Sequence, residues 1–321
     1  MSIQWISSCA GYEPGPVNLG VIRLDGNRAL VIDTGLDEGR AGKFARGLRA
    51  EGLMPYAIFL THHHADHMGG AHRLLQEGAE FAVTSAAEAA LARRPELQPL
   101  LFSGGGAPLP ELTVKFLMPK PIDVAVEVTA GSWVVPGADS AVALEVVDLA
   151  GHSPGQMGLR VGDVLFCGDA LFPEGTWSKY GLAYFADIDR AREALDTLDC
   201  LAAEVSVAVP GHGSAVSGDG AARPSVDTLR ARVTLNREGL QRLVDIVAEV
   251  LRNGTHSGSA EGPSLEQVIE GTCLRLGIAP TDIPEYYLDR ATVQAVLTHL
   301  CRDRKAQVEL HGARLAWRSA P

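Results

Sequence analysis

Thr61-His62-His63-His64-Ala65-Asp66-His67-Met68-Gly69-Gly70 is the stretch that decides how the chain is read. Four of the ten histidines stand within positions 62–67, with one carboxylate among them and no bulky apolar side chain. Upstream, residues 56–60 (Tyr-Ala-Ile-Phe-Leu) read as a short buried strand. Downstream, Gly69-Gly70 opens a helical pattern through Leu74, Leu75 and Glu77. Ligand-type side chains therefore stand where a strand hands over to a helix, which is where α/β folds put their sites. In an extended segment, side chains at i and i+2 share a side. His62 and His64 can then grip one ion while His63 points away, and Asp66 and His67 swing to a second position as the helix begins. A histidine run can also be an expression tag, but tags lie at termini and this run is internal. The spaced set reads as metal ligands. His63 reads as a supporting or solvent residue, and His72 has no assigned role.

Working outward, residues 17–24 and 29–33 read as strands joined by a hairpin turn at Asp25-Gly26-Asn27. Residues 37–51 follow as an amphipathic helix. Asp33, at a strand end, either caps a turn or steadies a metal histidine from behind. Beyond the cluster, residues 80–84 read as strand and 85–93 as helix. Residues 95–121 hold six prolines and Gly104-Gly105-Gly106, the composition of an irregular functional loop or cover. Strands resume at 124–128, 132–135 and 143–149. Three turns then stand out: Gly151-His152-Ser153-Pro154, Gly168-Asp169-Ala170-Leu171-Phe172 after a hairpin over 156–167, and Pro210-Gly211-His212-Gly213 after a strand at 204–209. A His or Asp beside Gly is more often a turn residue than a ligand. Together with the first cluster, however, these turns supply His, Asp and His, each just after a strand.

Composition narrows the class. A length of 321 residues suggests one large domain plus a smaller one. No apolar run approaches the roughly 20 residues of a membrane span, and Met1-Ser2-Ile3-Gln4-Trp5 lacks the pattern of a secretory signal. The five cysteines are odd in number and never in a C-x-x-C pair, which fits reduced thiols in a cytoplasm. Residues 225–321 carry 12 basic and 12 acidic side chains, so the net charge of −11 resides entirely in the first 224 residues. An acidic half disfavours docking on nucleic acid, whose affinity comes from phosphate neutralisation.

In their order along the chain, Asp33, His62-x-His64-x-Asp66-His67, His152, Asp169 and His212 resemble the five motifs of the metallo-β-lactamase superfamily, over about residues 15–215. The resemblance implies an α/β fold, the αββα sandwich of two mixed sheets with helices outside and the metals at one edge. It implies His62, His64 and His152 on one ion, Asp66, His67 and His212 on the second, and Asp169 bridging both. Imidazole and carboxylate without thiolate suit two divalent ions, zinc first, then iron or manganese. Such a pair generates hydroxide near neutral pH, and Asp66 can also handle the proton. The superfamily's true β-lactamases lack the bridging Asp, and its flavodiiron enzymes carry Glu at the position of His64. The Thr61-to-His64 and Gly168-to-Phe172 strings look most like glyoxalase II-type thioesterases. The Gly-Asp-Ala-Leu string is also similar to that of single-iron persulfide dioxygenases. Both families follow the bridging Asp with Gly-Cys-Gly-Arg/Lys, whereas this chain has Gly175-Thr176-Trp177-Ser178-Lys179-Tyr180-Gly181. That departure argues against glutathione thioesters.

The segment 172–185 holds five of the 18 aromatic residues, so it reads either as a pocket wall or as a packing face. In the first reading Trp177, Lys179 and Tyr180 contact substrate; in the second the rings pack on the C-terminal domain or a second subunit. The tail reads as a long helix over 226–251, a linker at 253–263, helices at 264–276 and 288–304, and a hairpin at 307–317. Three helices and a hairpin resemble a winged helix. The domains are then 1–224, catalytic, and 225–321, helical. The expected function is a cytoplasmic dinuclear metallohydrolase of small-molecule thioesters, esters or lactones. The alternatives are a nuclease guided by the tail, a dioxygenase-like enzyme and a metal-loaded DNA-binding sensor.

Overall fold

The computed structural model describes residues 2–138, 142–179, 181–221, 227–253 and 262–320, without the side chains of Ser178 and Lys179. The first sheet runs in chain order: β1 (Gln4–Trp5), β2 (Ala10–Glu13), β3 (Leu19–Arg23), β4 (Arg28–Ile32), β5 (Met54–Phe59), β6 (Phe81–Ser85) and β7 (Val126–Val128). Pairing is antiparallel from β1 to β4 and parallel from β4 to β7. The second sheet is built from β8 (Gly131–Trp133), β9 (Leu144–Asp148), β10 (Met157–Val161), β11 (Val164–Gly168), β12 (Val207–Pro210) and β13 (Val216–Ser217), in the order β13-β12-β11-β10-β9-β8. Its β11–β12 pair is parallel and its other pairs antiparallel.

Side-chain alternation along the strands separates two layers of core. Ile22, Leu30, Ile32 and Phe59 face Leu159, Val164 and Phe166 between the sheets. Val21, Val31 and Ile58 point the other way, onto Phe44 and Leu48 of α1 (Glu38–Ala50) and, beyond the short α2 (Ala65–Met68), Leu74 of α3 (Ala71–Gln76). Asp37 starts α1 by accepting from Arg40 N–H, as the sequence suggests for a chain turning out of a strand. Gly20 leaves room for the facing sheet: a Cβ there would meet the Phe166 ring at 2.7 Å. This is the αββα sandwich, with α4 (Ala86–Arg93) packed on the first sheet.

Three features differ from the sequence reading. β1 and β2 went unread, because two and four residues carry no usable alternation. The 95–121 segment is packed, with α5 (Leu97–Phe102), a 3-10 turn at Pro110–Leu112 and a buried cluster of Phe102, Leu112 and Leu117. After α6 (Glu174–Lys179), α7 (Ile188–Leu201), α8 (Leu229–Asn253) and α9 (Leu265–Leu276), the last helix α10 (Ile283–Arg302) begins five residues early. Asp282 caps it, and Pro284 fits the first turn, where the missing N–H costs nothing.

The hairpin β14 (Ala306–His311) and β15 (Arg314–Ser319) ends the chain. Position 224, the expected domain limit, and most of the 253–263 linker lie outside the described residues. One buried cluster runs from Leu165 and Cys167 of β11 through Leu195 and Leu198 of α7 to Leu240 and Val244 of α8 and Val296 of α10. Among the described residues no helix is long and apolar enough to cross a membrane.

Candidate metal centre

The turn after β5 carries the histidine cluster, the turn after β11 carries Asp169 and the turn after β12 carries His212. These turns meet at one edge of the sandwich with His152, which precedes β10. His62 Nε2 lies 3.0 Å from His64 Nδ1, which lies 3.0 Å from His152 Nε2. His212 Nε2 lies 3.3 Å from Asp66 Oδ2, and His67 Nε2 lies 3.9 Å from the same oxygen. Asp169 stands between the two sets, 3.6 Å from His152 Nε2, 3.4 Å from His67 Nε2 and 3.3 Å from His212 Nε2. The ligand-type atoms fall into the groups His62–His64–His152 and Asp66–His67–His212, with His62, His67 and Asp169 also close together.

The other ring nitrogen of four of these histidines is spoken for. His152 Nδ1–H donates to the Tyr184 carbonyl at 3.0 Å and His212 Nδ1–H to the Pro16 carbonyl at 2.5 Å. A carbonyl can only accept, so the proton sits on Nδ1 and the Nε2 lone pair points inward. His67 Nδ1 donates to Asp33 Oδ2 at 2.7 Å. Thr61 Oγ1 lies 2.9 and 3.1 Å from the Asp33 oxygens and 3.0 Å from His62 Nδ1, so its hydroxyl donates to Asp33 and accepts from His62. Asp33 also accepts from Thr61 N–H at 2.8 Å. Its backbone is left-handed, φ 57°, a conformation Asp tolerates better than most residues. Asp33 thus supports two histidines at once and is more than a turn cap.

The residues fit a pair of cations. Converging lone pairs repel unless a positive charge sits between them, and His67 Nε2 and Asp169 Oδ1 are buried without a hydrogen-bond partner. Burial lowers the pKa of His62, His64 and His152, which keeps their rings neutral. Burial also works against charged His67, but Asp169, Asp33 and Asp66 outweigh it and raise its pKa well above the usual value. Asp169 pushes His212 up to about 10. The second set therefore holds an excess of negative charge that draws positive charge in. Cys167, two residues before Asp169, offers no thiolate: burial raises its pKa to about 12, and its Sγ faces the Val209 carbonyl.

Four supports were not read from the sequence. Glu88 follows Ser85 at the spacing of a helix cap, yet it is fully buried. It accepts from His63 N–H and Nδ1, at 2.9 and 2.5 Å, and from Ser153 Oγ and Gly155 N–H, at 2.6 and 2.7 Å. It therefore ties the histidine turn to the His152 turn and makes His63 a buried partner instead of a solvent residue. Asn18 Nδ2 donates to the Pro210 and Gly213 carbonyls and holds the His212 turn. Gly211 leaves room for the centre, since a Cβ there would meet Asp169 Oδ1 at 2.1 Å. The Tyr184 carbonyl is the fourth, and a main-chain acceptor leaves no residue-type signal.

A cavity of about 740 Å³ opens beside His152, Asp169 and His212. Phe172, Leu182 and Tyr184 from the segment after β11, Phe116 from the 95–121 segment and Leu288 of α10 give it mostly apolar walls. Trp177 lies elsewhere. It stacks on Phe185 at 6.1 Å and packs on α8 at Gly239, where a Cβ would meet its ring at 2.3 Å. That is the packing arrangement, and Trp177 is not among the residues lining the cavity beside the centre. Tyr180 and the Lys179 side chain lie outside the described residues.

Likeness to known families adds to this geometry. The family model of the metallo-beta-lactamase superfamily matches residues 12–238, a span that includes all seven converging side chains. The chain belongs to the metallo-beta-lactamase superfamily. Among curated proteins it is similar to hydroxyacylglutathione hydrolases. The Cupriavidus taiwanensis protein is 32% identical over 47% of this chain and 48% of its own length. The Pectobacterium carotovorum protein is 29% identical over 46% and 45%. The chain thus spans about half the length of these two superfamily relatives. Among solved structures, a beta-lactamase domain protein from Burkholderia ambifaria has a TM-score of 0.71 at 15% identity, covering 99% of this chain and 95% of that one. A metallo-beta-lactamase family protein from Thermus thermophilus has a TM-score of 0.64 at 20% identity, covering 96% and 97%. At those identities the likeness is one of fold, and its reach includes the C-terminal helices.

Proposed function

We propose that this protein is a metal-dependent hydrolase with a two-ion centre, acting on a small-molecule thioester, ester or lactone. The observation that carries the reading is the split of six side chains into two ligand sets that share Asp169. His62, His64 and His152 would hold one ion, and Asp66, His67 and His212 the other. Divalent ions there supply Lewis acidity, which ionises water near neutral pH and offsets negative charge developing on the substrate oxygen. Zinc, iron and manganese all suit the nitrogen and oxygen donors.

The chain's own residues do the rest. Asp33, Thr61 and the Tyr184 and Pro16 carbonyls fix the ring orientations. Asp66, 23% exposed at its side chain, borders a small cavity beside the centre. In this reading Asp66 takes the proton released by the attacking water and passes it to the leaving group. The apolar walls beside the centre support a small acyl group as substrate over a polyanion such as RNA. The similarity to hydroxyacylglutathione hydrolases supports thioesters within that class.

The test is metal analysis of protein purified without added ions, followed by turnover of a thioester, a lactone and single-stranded RNA with and without chelator. About two equivalents of metal and chelator-sensitive thioester or lactone hydrolysis are expected. One equivalent of iron with no hydrolysis, or cleavage of RNA alone, would defeat the proposal.

A further inference from the structure

The cavity beside the metal centre has a charge pattern that its apolar lining does not require. One wall is a face of α10, where Glu285, Leu288, Asp289 and Thr292 border it. Asp289 is only 7% exposed, and among the described residues no donor or cation meets its carboxyl. Glu285, one turn earlier, accepts from Thr281 N–H and Oγ1 at 2.6 and 2.7 Å, so it brings negative charge and no relief. Burial, with Glu285 added, pushes the Asp289 pKa up to about 7. The other titratable group interacting with Asp289 is the Cys273 thiol of α9, whose own pKa rises to about 11. Among the described residues no Lys or Arg belongs to the lining. A nearly buried carboxyl facing a cavity normally has a partner, and among the described residues none is present.

We infer that Asp289 is a specificity-determining residue that receives a cationic nitrogen of the substrate, so that this cavity selects acyl groups ending in an ammonium and rejects those ending in a carboxylate. The inference rests on the hydrolase reading above and narrows its substrate class. An ammonium placed at Asp289 restores the missing ion pair, while its alkyl stem lies along Phe172, Leu182 and Leu288. A carboxylate in the same place would meet Asp289 and Glu285 as like charges in a poorly hydrated space.

The experiment uses the full-length, metal-loaded protein and three thioesters of one thiol, with acyl chains ending in methyl, ammonium or carboxylate. In kcat/KM the ammonium substrate should exceed the carboxylate substrate by roughly tenfold or more. Asp289→Asn should shrink that ratio to within about threefold, and Glu285→Gln should shrink it less. Calorimetric titration with hexylammonium and hexanol tests the same point without turnover: the ammonium should bind roughly tenfold tighter, and Asp289→Asn should remove the difference. Equal handling of the three thioesters, or a ratio untouched by Asp289→Asn, overturns the inference while leaving the hydrolase reading intact. Tighter binding of hexylammonium with no thioester, ester or lactone turned over supports the cation site and overturns the hydrolase reading.

Discussion

At the sandwich edge, nearly every polar side chain is tied from behind: His67 by Asp33, His62 by Thr61, His152 by the Tyr184 carbonyl and His63 by Glu88. In the adjoining cavity, apolar side chains from three separate segments make the wall, and the carboxyl of Asp289 has no partner among the described residues. The first region has its side chains held by hydrogen bonds; the second has its polar demand left open among the described residues. Preorganisation suits a centre that must hold charge in one geometry, whereas an unmet hydrogen-bonding group suits a surface that must tell one substrate from another.

Several measurements would break or sharpen that contrast. Asp169→Ala should have the largest effect, removing the group between the two sets and lowering metal content together with turnover by on the order of a thousandfold. Retained activity would mean the centre does not depend on a shared carboxylate. Glu88→Ala should cost about 3 kcal/mol in denaturant unfolding, because buried donors on the His63 and Ser153 turns lose their acceptor.

Asp289→Asn should act in the opposite direction. The folded pKa of about 7 lies above the ordinary Asp value of 3.8, so ionisation destabilises the fold progressively as pH rises from about 4 to 7. The variant should be more stable than wild type at pH 8, by on the order of 2 kcal/mol, with the gap closing towards pH 4. Equal stability at both pH values would mean that Asp289 has a partner after all. Asp33→Ala should weaken metal binding by about 10–100-fold, read by competition with a chelating dye. Thr292→Val should be mildest. Its hydroxyl accepts from Phe185 N–H and donates to the Ala183 carbonyl, so its loss should cost about 1 kcal/mol and raise KM a few-fold.

The same contrast explains what the sequence could disclose. The converging side chains were legible because three histidines and an Asp crowd one turn, and the later His, Asp and His each followed a short apolar run that marked a strand. The sandwich was legible only through the resemblance those motifs carry, because β4 and β5 are almost wholly apolar in sequence and only the structure sorts Leu30 and Phe59 from Val31 and Ile58. Glu88 was not, because a Glu three residues after Ser85 carries the same local pattern whether it caps a helix or crosses to another turn. Asp289 was hidden too. Nothing in its neighbours along α10 indicates that residues far earlier in the chain leave it facing a cavity.

Trp177 shows the limit from the other side. An aromatic beside a site motif is equally suited to substrate and to packing, and only the close approach at Gly239 decides between them.

The hydrogen bonds of Thr292 carry one last implication. They fasten α10 to residues 183 and 185, on either side of the carbonyl that orients His152. A replaced or shortened tail would therefore loosen an ion's grip as well as reshape the entrance. One hydroxyl thus links the helix that walls the cavity to the segment that orients a histidine of the centre.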